Sequence, residues 1–470
     1  VTGRLPHLLF FLLIIAAAPA APADSRVRVS PRDARYLELT SGAPFIPIGL
    51  NLIAPPAGLD EDAAFRLYES WLKQLSANGG NFIRVWLSHP FWDVEHARSG
   101  QFDELRAKRI DRLLELCRRS KIRVKFTLEH FRTIGGGRQS WADKPLHHAE
   151  NGGPAASIAD FFDGEAARAQ FRRKIAWYQQ RFGDRPEIFG WELWNEMDTV
   201  AGGDYFAWTA LMLPALREAF PGSLVMQSLG SFDTENKRDR YRRHSLLPGN
   251  DLAQVHRYLD LGAALEVCQG PMDAVAASAV RDILAFEPGK PVLLAESGAV
   301  EPRHTGPFKL YSADKEGVIL HDTLFAPFFA GAAGPGHPWH WDSYIAANSL
   351  WRHFRHFAEA VRGIDPAAEQ FEPVYLDQDQ LRIYALRGHK NVLIWVRDAQ
   401  NTWISELRDG QPPALIEGVS LFIKDALPPR PMPTVRIYDP WSGKTARAPL
   451  RKGSVPLPPF RRSLVLRVPI

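Results

Sequence analysis

Cysteine is scarce: only Cys117 and Cys268 occur among 470 residues. Two thiols cannot by themselves build a zinc or iron–sulfur centre, and no Cys/His spacing of the zinc type accompanies them. A disulfide is the other use of such a pair. However, Cys117 shares one helical face with Ile110, Leu113 and Leu114, which predicts a buried thiol facing the core. Charge of one sign is equally thin. Lys and Arg number 57 against 53 Asp and Glu, a net charge of +4 with no basic stripe, so nucleic acid is not an expected partner. Long hydrophobic runs are confined to residues 8–18, too short to span a bilayer comfortably. No glycine-rich phosphate loop follows the first predicted strand, which argues against a doubly wound nucleotide-binding sheet. Nothing in the sequence implies a cofactor or a metal. The pair His147-His148 is read as loop histidines.

What is present begins with Arg4, the apolar run and then Pro-Ala-Ala-Pro-Ala-Asp, the pattern of a secretory signal peptide over residues 1–23. A secreted or periplasmic chain, monomeric and free of the membrane after cleavage, is the expectation. From 45 to 364, short apolar runs alternate with amphipathic segments. Eight runs read as buried parallel strands: 45–51, 82–87, 124–129, 188–194, 224–228, 253–258, 292–296 and 337–341. Helical spacing joins Tyr68, Trp71, Leu72 and Leu75. A clear helix is predicted over 165–182 and another over 271–286. Eight β–α units in series predict an α/β fold, a (β/α)8 TIM barrel over 24–364.

Beyond Ile364 the pattern changes to short β-rich stretches between turns, which predicts a small antiparallel β-sandwich over 365–470. Its Trp395, Trp403 and Trp441 share no common spacing, so bracing of the barrel is favoured over glycan binding. Near the other end, 36–39 and 45–48 flank Ser41-Gly42 as a predicted hairpin. The long segments 131–160 and 297–312 both follow strand ends, and hence lie at the mouth of a barrel.

Two segments carry chemistry. Trp191-Glu192-Leu193-Trp194-Asn195-Glu196 ends predicted strand four, and Val292-Leu293-Leu294-Ala295-Glu296-Ser297-Gly298 ends predicted strand seven. Glycosidic cleavage needs two carboxyl groups across one cleft, one to protonate the leaving oxygen and one to attack or stabilise the anomeric carbon. Glu196 must then stay protonated, with its pKa raised by Glu296 and by partial burial, while Glu296 must be ionised. Period-two alternation puts His256 and Tyr258 on one face, and His337, Trp339 and Trp341 on another. Glu192 reads as an interior carboxylate paired with Arg84, and Glu129 as a lesser rival acid. Trp141, His89, Trp92, Tyr205 and Tyr311 are candidate sugar contacts by loop position alone.

Over roughly residues 36–364 these features resemble the clan A glycoside hydrolases, and within them glycoside hydrolase family 5 with its cellulase- and mannanase-like relatives. The resemblance rests on Asn195-Glu196, Glu296, Arg84 in Asn81-Phe82-Ile83-Arg84-Val85-Trp86, His130 after strand three, the His256-x-Tyr258 pair, and Trp339 or Trp341 in strand eight. It implies a retaining β-glycosidase with Glu196 as acid/base and Glu296 as nucleophile. Arg84, His130, Asn195, His256, Tyr258, Trp339 and Trp341 would bind a polysaccharide or its oligosaccharides, mannan or β-glucan favoured. Two departures bear on substrate: Glu296 is followed by Ser297-Gly298 rather than an aromatic and glycine, and Glu196 by Met197 rather than proline. A carbohydrate-binding protein on a dead barrel is the competing class, and the presence of both glutamates argues against it. Transglycosylation is a third reading, separable only by product analysis.

Overall fold

The computed structural model describes residues 25–130, 145–183, 185–200, 202–376, 378–427 and 434–470. The predicted signal segment and Trp141 lie outside them.

Strand β1 (Val27–Val29) pairs antiparallel with β2 (Leu37–Leu39). The expected hairpin across Ser41-Gly42 survives as a single bridge, Glu38 to Pro44, because β2 spends its regular ladder on β1. Five parallel strands follow in sequence order: β3 (Gly49–Asn51), β4 (Phe82–Trp86), β5 (Arg123–Glu129), β6 (Ile188–Trp194) and β7 (Leu224–Met226). β8 (Ala253–Asp260) and β9 (Val292–Val300) form a second parallel pair. Individual hydrogen bonds join the two sheets. The Asp251 amide donates to the Val225 carbonyl (3.0 Å), and Gln254 Nε2 donates to the Gln227 carbonyl (3.2 Å).

The eighth position differs from expectation. Residues 337–339 bridge β9 to β3 without forming a strand. The His337 amide donates to Leu294 O (2.9 Å), Trp339 N to Ser297 O (2.7 Å) and Asn51 N to Pro338 O (3.0 Å). His340 then adopts a left-handed backbone (φ 53°), which ends the extended run, and a π-helical turn over Trp341–Ala346 begins. With these contacts the parallel strands close into a (β/α)8 barrel.

The helices show why the fold holds. The helix Glu165–Phe182 buries Ala167, Phe171, Ile175 and Tyr178, the positions its 3.6-residue period puts on one face. Helix Glu104–Ser120 is N-capped by Asp103 and buries Cys117 with Ile110, Leu113 and Leu114; both cysteines are free and buried. Helix Val318–Phe329 is buried at every position. A barrel helix ordinarily keeps one polar face in water, so something must cover the outer face of this one.

The C-terminal β layer does so. Its strands are β10 (Glu372–Val374), β11 (Leu381–Arg387), β12 (Asn391–Asp398), β13 (Ser420–Phe422), β14 (Thr434–Tyr438), β15 (Thr445–Pro449), β16 (Ser454–Pro456) and β17 (Ser463–Pro469). Six of them make one antiparallel sheet in the order β10-β11-β12-β17-β14-β15, and β13 pairs with β16 alone. One face of the larger sheet (Tyr384, Leu393, Trp395, Val465) joins the barrel core. The other (Ile383, Ile394, Ile437, Leu466) packs on Leu421 and Val455 of the two-stranded ribbon. The two-layer sandwich is therefore lopsided, and its larger sheet is itself an outer wall of the barrel. Among the described residues no helix is long and apolar enough to cross a membrane.

Candidate active site

All parallel strands run toward the same rim, and there a cleft of about 710 Å³ opens. Glu196 is the second residue past β6, after Asn195. Its backbone is left-handed (φ 49°, ψ 50°), a conformation a glutamate adopts only when the surroundings impose it. This turn directs its carboxylate across the rim instead of along the strand. Glu296 lies within β9 at the same height. The two carboxylates and His256 each offer an atom within 4.8 Å of the other two. Both glutamates line the cleft, with 14% of the Glu196 side chain and 7% of the Glu296 side chain exposed.

Their surroundings differ. Glu296 Oε2 takes a bond from Arg84 Nη1 (2.8 Å) and Oε1 takes one from the Tyr258 hydroxyl (2.7 Å). Burial raises the Glu296 pKa, the neighbouring Glu196 adds to this, and His256, Arg84 and the Tyr258 hydrogen bond oppose it. Among the described residues Glu196 has neither an arginine nor a phenol bonded to its carboxylate. Its Oε1 meets His256 Nδ1 at 2.8 Å, and its amide donates to Ser228 Oγ (3.3 Å). Burial first, and then the Asp198 carboxylate, push the Glu196 pKa up to about 7. Asp198 thus supplies the electrostatic contribution that the sequence assigned to Glu296. It sits two residues on, in the 3-10 turn Met197–Thr199, and accepts the Gly230 amide at 2.7 Å.

Beneath the two glutamates lies a buried polar layer. Arg84 is fully buried on β4 and reaches Glu192 (2.7 Å), Glu296 (2.8 Å) and the Asn195 amide oxygen (2.6 Å). Burial would raise the Glu192 pKa, yet Arg84, Lys125 and the Thr127 hydroxyl hold it far below the usual carboxylate range. Glu192 is therefore a fixed counter-charge, as read from its strand position. Lys125 donates to Gln254 Oε1 (2.5 Å), and burial pulls its pKa down to about 7. His256 is fully buried, and the same desolvation takes its pKa down to about 4, so it is neutral near pH 7.

The remaining sequence candidates divide by position. Asn195, Tyr258, Trp339 and Trp341 line the cleft. With its amide oxygen held by Arg84, Asn195 has its NH2 group left for a ligand. Trp339 and Trp341 meet edge to face at 5.5 Å, but His337 does not join them. It turns inward, stacks on Phe82 at 4.3 Å and bonds the Pro47 carbonyl (3.0 Å), because the strand on which alternation would align all three stops at Trp339. Arg84 and His256 lie under the cleft and act on it through the glutamates. His130 stacks on Trp86 (4.9 Å) and bonds Ser88, behind the cleft wall.

Of the loop aromatics, Trp92 is buried with its indole N–H on the Ile53 carbonyl (2.9 Å), and Tyr205 stacks on His244. The Tyr311 hydroxyl accepts the Ala299 amide and lies 3.3 Å from His340 Nδ1, so it props β9 and the loop at His340. Neither these three nor His89 lines the cleft.

Several lining residues were not foreseen: Trp86, Asp233, Lys237, His304 and His340. Only Trp86 had a sequence signal, being two residues past Arg84 on the same strand and hence on the same face. The others sit on irregular loops whose placement depends on the closed barrel. Glu129, the rival acid, and His147 form a second cluster with Glu95. Lys174 already supplies the cation there, 2.9 Å from both carboxylates.

No family model matches the chain, and no curated protein matches it in sequence. Solved structures resemble it in fold. A candidate glycoside hydrolase from Bacteroides vulgatus ATCC 8482 superposes with a TM-score of 0.60 at 14% identity, over 96% of this chain and 84% of that one. A glycoside hydrolase family 5 protein from the same organism gives 0.50 at 14% identity, over 94% and 93%. An exo-β-1,4-mannosidase from Opitutaceae bacterium strain TAV5 gives 0.49 at 20% identity over 70% of this chain, which spans 61% of that protein's length. At such identities the likeness is one of architecture, and the chain shares with the two Bacteroides proteins a (β/α)8 barrel fold.

Proposed function

We propose that this chain is a retaining β-glycoside hydrolase. It would cleave O-glycosidic bonds in a polysaccharide or its oligosaccharides, with Glu196 as acid/base and Glu296 as nucleophile. The observation that carries this reading is the asymmetric pair itself. Two carboxylates, one just past β6 and one within β9, bring oxygens within 4.8 Å of each other in one cleft. One is held by a guanidinium and a phenol, while the other has its pKa raised to about 7. Retaining enzymes set their carboxyl groups about 5–5.5 Å apart, whereas inversion needs roughly 6.5–9.5 Å to admit a water.

In the first step Glu296 Oε2 or Oε1 attacks the anomeric carbon as the bond to the leaving oxygen breaks. Glu196 gives its proton to that oxygen, which leaves as an alcohol. In the second step Glu196, now a carboxylate, takes a proton from water. The resulting hydroxide oxygen displaces Glu296 from the anomeric carbon, and both groups are restored. Neutral His256 keeps a hydrogen bond on Glu196 without adding a charge that would discharge its proton. Asn195 offers its NH2 group to the sugar 2-hydroxyl, a bond that strengthens in the transition state. Trp339 forms the aromatic floor. Mannan or β-glucan backbones are favoured on the sequence resemblance, acting after export and removal of residues 1–23. Residues 24–364 would carry the reaction, and 365–470 would brace the barrel.

The direct test is the anomeric configuration of the first product by NMR. A β-product is expected, and an inverted one would remove the nucleophilic role of Glu296. Glu196→Ala should keep its first step on aryl glycosides with good leaving groups, with azide restoring turnover as a β-glycosyl azide.

A further inference from the structure

A second groove, of about 560 Å³, lies on the C-terminal sheet and shares no residue with the barrel cleft. It is lined by Asn391, Thr434, Arg436, Arg447, Arg467 and Pro469. The strand register makes its three arginines a ladder. Arg436 on β14 stands directly opposite Arg447 on β15 and also directly opposite Arg467 on β17. Their neighbours Val435, Ile437, Ala448, Leu466 and Val468 fill the ribbon-side core, so all three arginines emerge on the other face.

Like charges directly opposite each other across an antiparallel pair destabilise the sheet. Here the repulsion is repeated over two adjacent pairs. An arginine on an edge strand can serve to block further pairing. That accounts for Arg447 on edge strand β15 but not for Arg436 and Arg467 on the inner strands. Among the described residues neither Arg436 nor Arg447 has an acidic partner. Arg467 is tied to neutral groups, with Nε on Asn391 Oδ1 (2.7 Å) and Nη1 on the Arg362 carbonyl (3.1 Å). Glu369, whose charge acts on Arg467, is occupied by the amides of Lys390 (2.8 Å) and Asn391 (3.1 Å).

We propose that this groove is an oxyanion-binding site that takes the carboxylate or sulfate groups of an acidic polysaccharide. Adjacent strands are about 4.8 Å apart, so the ladder spans about 10 Å in an open line. Arg467 is held on Asn391 and the Arg362 carbonyl, and a row of guanidinium groups along this line suits a chain bearing repeated oxyanions. Among the described residues no aromatic ring lines the groove, so recognition is by charge and not by stacking on a neutral sugar or a base.

The test uses the full chain and the Arg436→Gln/Arg447→Gln variant, leaving Arg467 in place because it anchors the sheet. Binding is measured by calorimetry to polygalacturonate, dextran sulfate, neutral dextran, a single-stranded DNA oligomer and sodium sulfate at constant ionic strength. Wild type should bind one or both acidic polysaccharides and not neutral dextran, and which of the two identifies the oxyanion. The variant should bind at least about tenfold more weakly. In low salt without ligand the variant's Tm should equal or exceed that of wild type, since a repulsion has been removed. The acidic polysaccharide should raise the Tm of wild type alone. Equal binding by both proteins would overturn the proposal, as would tighter binding of DNA, saturation by inorganic sulfate alone, or a variant Tm below that of wild type with no change in binding.

Discussion

Two buried arginine networks in this molecule use the same residue types to different ends. At the barrel mouth Arg84 holds Glu192 and Glu296, and Glu296 keeps one edge open to the cleft. Between the barrel and the C-terminal sheet, Arg397 of β12 makes two contacts of 2.9 Å to Asp322. Arg382 of β11 holds Asp273 (2.6 Å), which also takes the Tyr384 hydroxyl (2.8 Å). Asp322 and Asp273 face no cleft, and their burial is complete or nearly so. The second network is an ionic clamp between two layers. The first is built the same way but leaves a reactive oxygen uncovered. A buried carboxylate becomes chemical equipment when its counter-charges saturate one side of it and a cavity occupies the other.

The largest expected effect separates the two. Glu296→Gln should lower kcat by at least roughly 10³-fold with any leaving group, because no glycosyl-enzyme ester can form, while its Tm stays near that of wild type. Asp322→Ala should do the reverse. An arginine left buried without its partner costs about 3–5 kcal/mol, read as a lowered denaturation midpoint, with kcat unchanged below the transition. The double variant Arg397→Met/Asp322→Leu should recover most of that loss, because an apolar pair of similar volume avoids both desolvation costs. A kcat that fell with Asp322→Ala as steeply as the stability would erase the distinction between clamp and site. Third in size is Trp339→Ala. Loss of one stacking face should cost about 1–3 kcal/mol of transition-state binding, roughly 5- to 150-fold in kcat/KM, measured on soluble oligosaccharides.

How much of this was legible in the sequence follows from the kind of order each part has. Helix Glu165–Phe182 and strand Ile188–Trp194 were read to the residue, since each is a long regular pattern with a turn at both ends. The eighth strand was not, because its end is set by the left-handed His340 and a π-helical turn, which no periodicity announces. The position of the C-terminal sheet was available but unread. Val-Ile-Leu-His-Asp-Thr-Leu-Phe-Ala-Pro-Phe-Phe is apolar nearly all round, and a barrel helix of that kind requires a second layer outside it. In the site, the glutamates and Arg84 were legible because regular parallel strands, or the first residues past them, place them. The loop residues Lys237, His304 and His340 were not, since their meeting depends on segments far apart in the chain.

The smallest expected effect concerns how the two glutamates are kept unlike each other. Asp198 carries a buried carboxylate on the turn that follows Glu196, with the Gly230 amide at 2.7 Å and Arg240 3.7 Å away. Its negative charge disfavours ionisation of Glu196, and after burial it is the largest contribution to a pKa of about 7. The general acid must be protonated, so kcat/KM should fall as pH rises through about 7. Asp198→Asn keeps the shape and an acceptor for Gly230 but removes the charge. The ionised form of Glu196 is then easier to reach, and the basic limb should move to lower pH by up to about one unit, with little change at the plateau. Substrates whose leaving group needs no protonation should show no such displacement, because their first step does not use the Glu196 proton. A basic limb that stayed put in Asp198→Asn, or moved to higher pH, would mean that burial alone sets the acid and that Asp198 serves only to hold the turn.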